Sequence, residues 1–160
     1  MKKLFLILML IPALLFGQNE PKAKIDSAKN NIYAEFHPGL FTRLVMNYER
    51  QIYSGKKVSC YGRLGGGIAG ILGPIVEMEI LAGWGGLGAI TILTGKKNNH
   101  FELNTGALIG LHEDIIGEYN DIFIFPLFNI GYRYQKPRGG FIFRLNAGIY
   151  SFGLSLGYAF

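Results

Sequence analysis

The side chains of this 160-residue chain that could do chemistry are three histidines, one cysteine, Ser151 and a set of Arg and Glu residues. Nucleophilic hydrolysis needs a Ser or Cys beside a base that an acid holds in place. His112 is followed by Glu113 and Asp114, which supply a base and two candidate acids. No Ser lies near it in sequence, so Ser151 would have to be brought to it by the fold. His37 and His100 are the remaining histidines. Acids gather in one region, at Glu77, Glu79, Glu113, Asp114, Glu118 and Asp121. A calcium site needs several converging oxygens, and no spacing here forces that, so no metal and no cofactor is expected. Cys60 is the sole cysteine, which excludes an internal disulfide and leaves it as a small apolar filler.

The charged residues carry a stronger pattern. Glu35, Glu49 and Glu102 with Arg43, Arg63, Arg133 and Arg144 all fall on one parity of alternating segments, interleaved with Asn and Gly. Residues of one parity in a strand share a face. Every Lys instead lies near the N-terminus or in a predicted turn. Arg, with its planar fork of donors, suits crowded paired sites. This face is therefore expected to be enclosed, with the seven residues filling an interior rather than meeting bulk water.

Strands must position them. Alternation predicts strands over 32–37, 40–52, 58–69, a fourth ending at Thr94, then 101–111, 121–134, 141–149 and 150–160. Turn residues separate them at Pro38-Gly39, Ser54-Gly55-Lys56-Lys57, Gly95-Lys96-Lys97-Asn98-Asn99 and Lys136-Pro137-Arg138-Gly139-Gly140. The segment 70–86 reads as an extension of the fourth strand or a short loop helix. The opposite parity is apolar: Leu44 and Met46, Phe101 and Leu103, Phe141 and Phe143, Leu154 and Leu156. Aromatic residues Tyr48, Tyr132, Tyr134, Tyr158 and Phe160 cluster at one end of the predicted strands. An all-β fold with a charged interior and an apolar exterior is a transmembrane up-and-down antiparallel barrel of eight strands, with these aromatics as an interfacial girdle. Eight strands leave an interior just wide enough for side chains to fill.

At the N-terminus, Lys2 and Lys3 precede an apolar run from Leu4 to Phe16, then Gly17 and Gln18. The run is shorter than the roughly 20 residues of a spanning helix, so 1–17 is expected to be a Sec-type signal peptide. Residues 18–31, polar and Lys-rich, are expected to form a flexible leader, and 32–160 the barrel. Removing Lys2 and Lys3 lowers the net charge of +5 to about +3, which argues against nucleic acid as a partner.

Four segments, Asn47-Tyr48-Glu49-Arg50, Leu93-Thr94-Gly95-Lys96-Lys97-Asn98, Gly131-Tyr132-Arg133-Tyr134-Gln135 and the ending Leu154-Ser155-Leu156-Gly157-Tyr158-Ala159-Phe160, resemble small signal-bearing outer-membrane barrels of Bacteroidetes. The last also resembles the closing strand of bacterial outer-membrane barrels. The resemblance implies an outer-membrane location, outer-membrane lipids as surroundings and insertion by the barrel assembly machinery. It implies no activity, and the expectation is a structural or interaction role without a catalytic site. The run His100-Phe101-Glu102-Leu103 has a superficial likeness to lipid A deacylase barrels but lacks their His–Ser pair. A lipid-modifying hydrolase on this barrel, and a soluble exported ligand-binding barrel, are the alternatives.

Overall fold

A computed structural model describes residues 28–39, 41–71, 82–95, 97–113, 119–149 and 151–160. The predicted signal peptide, most of the leader and positions 72–81 lie outside the described residues. Eight strands run in chain order: β1 (Asn30–His37), β2 (Phe41–Ser54), β3 (Val58–Ile71), β4 (Ala82–Thr94), β5 (Asn99–Glu113), β6 (Tyr119–Gln135), β7 (Gly140–Gly148) and β8 (Phe152–Ala159). Each pairs antiparallel with the next, and β1 pairs with β8, which closes the barrel. Closure removes the exposed sheet edges that open sheets must manage.

Most strand ends shift by one or two residues from expectation, and two of the differences bear on the architecture. Strand β1 starts at Asn30, so the last leader residues belong to the barrel: the Ala28 amide donates to Pro137 O at 2.8 Å and the Asn30 amide to Phe160 O at 2.9 Å. The predicted leader ran on because its Lys and Asn content reads as coil, whereas pairing with β8 supplies ladder partners that composition does not reveal. Residues 82–86, within the ambiguous segment, belong to β4.

Turns 55–57 and 136–139, with Gly95 and Asn98, share one end of the barrel with Asn30 and Phe160 (the turn end), while His37, Phe41, Ile71, Ala82, Glu113, Tyr119, Gly148 and Phe152 bound their strands at the other (the loop end). Gly95 and Gly139 both have φ of 94°. That left-handed backbone is open to glycine at little cost.

Side chains alternate strictly. Large apolar groups cover the outside, among them Leu64 (69% exposed), Ile122 (71%) and Phe152 (74%). The interior is layered. Toward the turn end it holds Arg, Glu, Asn and Tyr. Toward the loop end it holds an apolar cluster of Phe41, Ala69, Leu87, Leu108 and Leu127.

The wall is uneven. Strands β2 to β6 have 14, 14, 13, 15 and 17 residues, whereas β7, β8 and β1 have 9, 8 and 8. Against β1 most of the extra length of β2 lies at the turn end, where 51–54 run past the Asn30–Arg50 pair, whereas against β7 the extra length of β6 lies at the loop end. Ladder pairing between β6 and β7 stops at Asn129–Gly148. Beyond it, residues 119–128 of β6 pair only with β5 among the described residues. The result is a notch above β7, β8 and β1. Phe41 of β2 and Phe125 of β6 stack across it with centroids 4.1 Å apart and planes 12° from parallel, joining two strands that are not neighbours in the sheet.

Candidate functional site

All seven charged residues predicted to share a face are inside the barrel, none more than 2% exposed. They sit on β1, β2, β3, β5, β6 and β7, and closure brings them together across the lumen. Glu102 and Glu49 are each clamped by two guanidiniums. Arg133 reaches Glu102 through Nε at 2.5 Å and Glu49 through Nη2 at 2.8 Å. Arg144 donates through Nη2 to Glu102 and lies 3.3 Å from Glu49 through Nη1. Nearer the loop end, Glu35 receives Arg63 Nη2 at 2.7 Å and Arg43 Nε at 3.2 Å. Neutral groups complete the set: Tyr33 donates to Glu49 at 2.6 Å, Asn104 to Glu102 at 2.6 Å, and Arg63 Nε to Asn47 at 2.9 Å. The Tyr33 ring lies under Arg144 at 4.2 Å, and Tyr61 under Arg133 at 5.6 Å. A buried charge without partners is costly, and this connectivity answers that cost for every carboxylate. Asn146 and the Ser155 hydroxyl are buried without a hydrogen-bond partner among the described residues, and Glu35 Oε2 and Arg63 Nη2 meet as an ion pair without hydrogen-bond geometry.

Tyr48, Tyr132, Tyr134, Tyr158 and Phe160 point outward at the turn end. Tyr48 donates to Asn30 at 2.8 Å and Tyr132 to Asn99 at 2.7 Å. Cross-strand pairs Tyr48–Ile32, Ile32–Tyr158 and Tyr158–Phe141 make a continuous row. Cys60 shares the outward face of β3 and is half-buried.

A second group of polar residues lies at the sill of the notch. His37, the last residue of β1, is fully buried. Its Nδ1 is 3.2 Å from Ser151 Oγ. Its Nε2 is 3.3 Å from Glu35 Oε1 and 3.2 Å from Arg43 Nη2. Ser151 is held by an antiparallel bridge to Gly39 and by its carbonyl, which accepts from the Gly148 amide at 2.9 Å. Gly153 makes room for the imidazole: a Cβ there would strike the ring. A cavity of about 10 Å³ opens beside Ser151, lined also by Arg43, Phe125, Leu127, Phe128 and Ile149. Such a volume accommodates one water-sized group.

Ser151 is therefore hydrogen-bonded to His37, whereas the sequence singles out His112 by its acidic neighbours. His112 pairs through its backbone with Asp121, on the β5–β6 side of the barrel. The signal for His37 was present: it has the parity of Glu35, and Ser151 that of Ser155. What sequence cannot supply is the register of β8 against β1, which brings together residues 114 positions apart. Among the described residues, no group of three or more His, Cys, Asp or Glu could hold a metal ion. No family model matches the chain, and no curated protein matches it in sequence.

Proposed function

We propose that this chain is a small outer-membrane β-barrel that passes no solute through its lumen and works at its wall and loop end. The observation that carries the reading is the inversion of its faces. Arg133, Arg144, Glu35, Glu49 and Glu102 are fully buried while Leu64, Ile122, Ile124 and Phe152 stand out at 68–74% exposure. Apolar surface costs about 25 cal/mol per Å² left in water, and a water-soluble barrel would carry these faces the other way round. Hydrocarbon removes that cost and demands the internally satisfied backbone that a closed barrel provides. The turn-end tyrosines occupy the place of an interfacial girdle. The Arg/Glu network fills the cross-section, which supports a closed lumen with a structural or interaction role.

On this reading residues 1–17 direct export through the Sec pathway, the barrel assembly machinery inserts the chain, outer-membrane lipids surround it, and nucleic acid is no partner. The resemblance to small Bacteroidetes barrels supports the same location. The test is expression of the full chain with cell fractionation and gel migration before and after heating. Detergent-requiring recovery from the outer membrane, with heat-modifiable migration, is the expected result. Recovery as a detergent-free soluble protein would overturn the reading in favour of an exported soluble barrel.

A further inference from the structure

The notch sits where lipid would meet the lumen. Strands of 8 residues tilted by about 40° rise roughly 20 Å, less than the roughly 25 Å apolar band of an outer-membrane barrel, whereas 13 to 17 residues rise more than about 30 Å. If the loop end faces outward, the missing wall is in the outer leaflet. Its sill is apolar on the outside, at Ile149 and Phe152, and Phe128 flanks it. Immediately inside are Leu127, Leu108 and Leu87. Apolar surface is thus continuous from the lipid face to the lumen, and the Ser151–His37–Glu35 chain lies on that path.

We propose that Ser151, His37 and Glu35 form the nucleophile, base and orienting carboxylate of an ester hydrolase that takes long-chain acyl esters of membrane lipids sideways through the notch. The proposal rests on the membrane reading above. Geometry meets the requirements for such a site: nucleophile within hydrogen-bond reach of the base, and base within reach of an acid. With its proton on Nε2 toward Glu35, His37 presents the Nδ1 lone pair to the Ser151 hydroxyl. Ser151 Oγ attacks the ester carbonyl carbon while its proton passes to Nδ1. The bond to the alcohol oxygen breaks, and the alcohol leaves with that proton. Water then attacks the acyl-serine, giving one proton to Nδ1. The fatty acid is released, and that proton returns to Ser151 Oγ. The net reaction is ester plus water to acid plus alcohol.

Arg43 is the group that would meet the developing oxyanion. It lines the cavity with Ser151. In the tautomer that carries the His37 proton on Nε2, Arg43 Nη2, 3.2 Å from that nitrogen, has no acceptor there, so that of the five guanidinium donors Glu35 engages only Nε. The cavity as it stands receives the carbonyl group. The chain of the ester would lie against Phe125, Leu127, Phe128 and Ile149, the apolar residues that line the cavity.

The experiment uses the full barrel folded into liposomes and into detergent micelles, its folded state read by heat-modifiable migration. The probes are a lipophilic fluorophosphonate, a diacyl phospholipid and an acylated glycolipid, with free fatty acid as the readout for the last two. Expected is a covalent adduct on Ser151, absent in Ser151→Ala, and release of fatty acid from one lipid class, which tells a glycerol ester from a sugar-linked one. His37→Gln should slow labelling by about 10²–10⁴-fold, the usual contribution of a general base. Ser151→Cys, a near-isosteric change made with Cys60→Ala to remove the outward thiol, should react with a lipid-soluble maleimide. A barrel that inserts but takes no adduct, or takes one elsewhere, or leaves the Ser151→Cys thiol unreactive, overturns the hydrolase. A chain that fails to insert at all overturns the membrane reading instead.

Discussion

Replacing Arg144 by Met, similar in length and uncharged, tests whether the lumen is held by its ion network. Glu49, Glu102, Arg133 and Arg144 form a balanced four-charge cluster, all fully buried. Arg144→Met leaves two carboxylates sharing Arg133 and removes the nearer of the two guanidiniums over the Tyr33 ring. Removing one partner of a buried pair costs about 3–5 kcal/mol. With an unfolding slope of about 2 kcal/mol per M urea, 4 kcal/mol lowers the midpoint by about 2 M. Adding Glu102→Gln restores one carboxylate to one guanidinium, so the double variant should fall short of the summed single costs by about 1–3 kcal/mol. The assay is urea unfolding of the barrel in liposomes, followed by emission of Trp84, the only tryptophan. A midpoint shift under about 0.5 M for the single variant, or strict additivity in the double, would refute the network as the element that holds the interior.

Other outcomes follow from single positions. Leu64→Arg places a charge on the outer face where Leu64 is 69% exposed; it should destabilise the barrel in liposomes by up to about 4 kcal/mol, the cost rising with depth in the bilayer, measured by the same urea titration. Gly153→Ala should displace the His37 ring, read as loss of the Ser151 fluorophosphonate adduct while heat-modifiable migration persists. Ser155→Ala removes a buried hydroxyl that has no partner among the described residues and should be neutral or slightly stabilising, seen as an unchanged or higher unfolding midpoint. Planar-bilayer recording of the wild-type barrel should show no stepwise conductance, since Arg133, Arg144, Glu49 and Glu102 cross-link the lumen; discrete steps would contradict the closed lumen.

Parity made most of the fold legible. Alternation in 41–49 and 101–110 assigns each residue to a face before any contact is known, and the inner positions of Glu49 and Glu102 follow from it. What alternation cannot express is how far strands stand above one another. The sequence already reads 32–37 and 141–149 as shorter than 121–134, but only the ladder shows that β6 outruns β7 beyond Asn129 at the loop end. The notch was invisible for that reason. The pairing of Ser151 with His37 was missed for a related one: acidic neighbours drew attention to His112, while His37 gains its acid two residues back on the same face, at Glu35. Tyr33 and Asn104 were likewise of the right parity but carried no charge to mark them as members of the network.

Trp84 offers a direct measurement without mutation. It is 63% exposed on the outer face of β4. In liposomes containing lipids brominated along the acyl chain, its fluorescence should be strongly quenched, while aqueous iodide should have little effect. Efficient quenching by iodide with none by brominated lipid would mean that the apolar face meets water, and the inverted barrel would have to be abandoned.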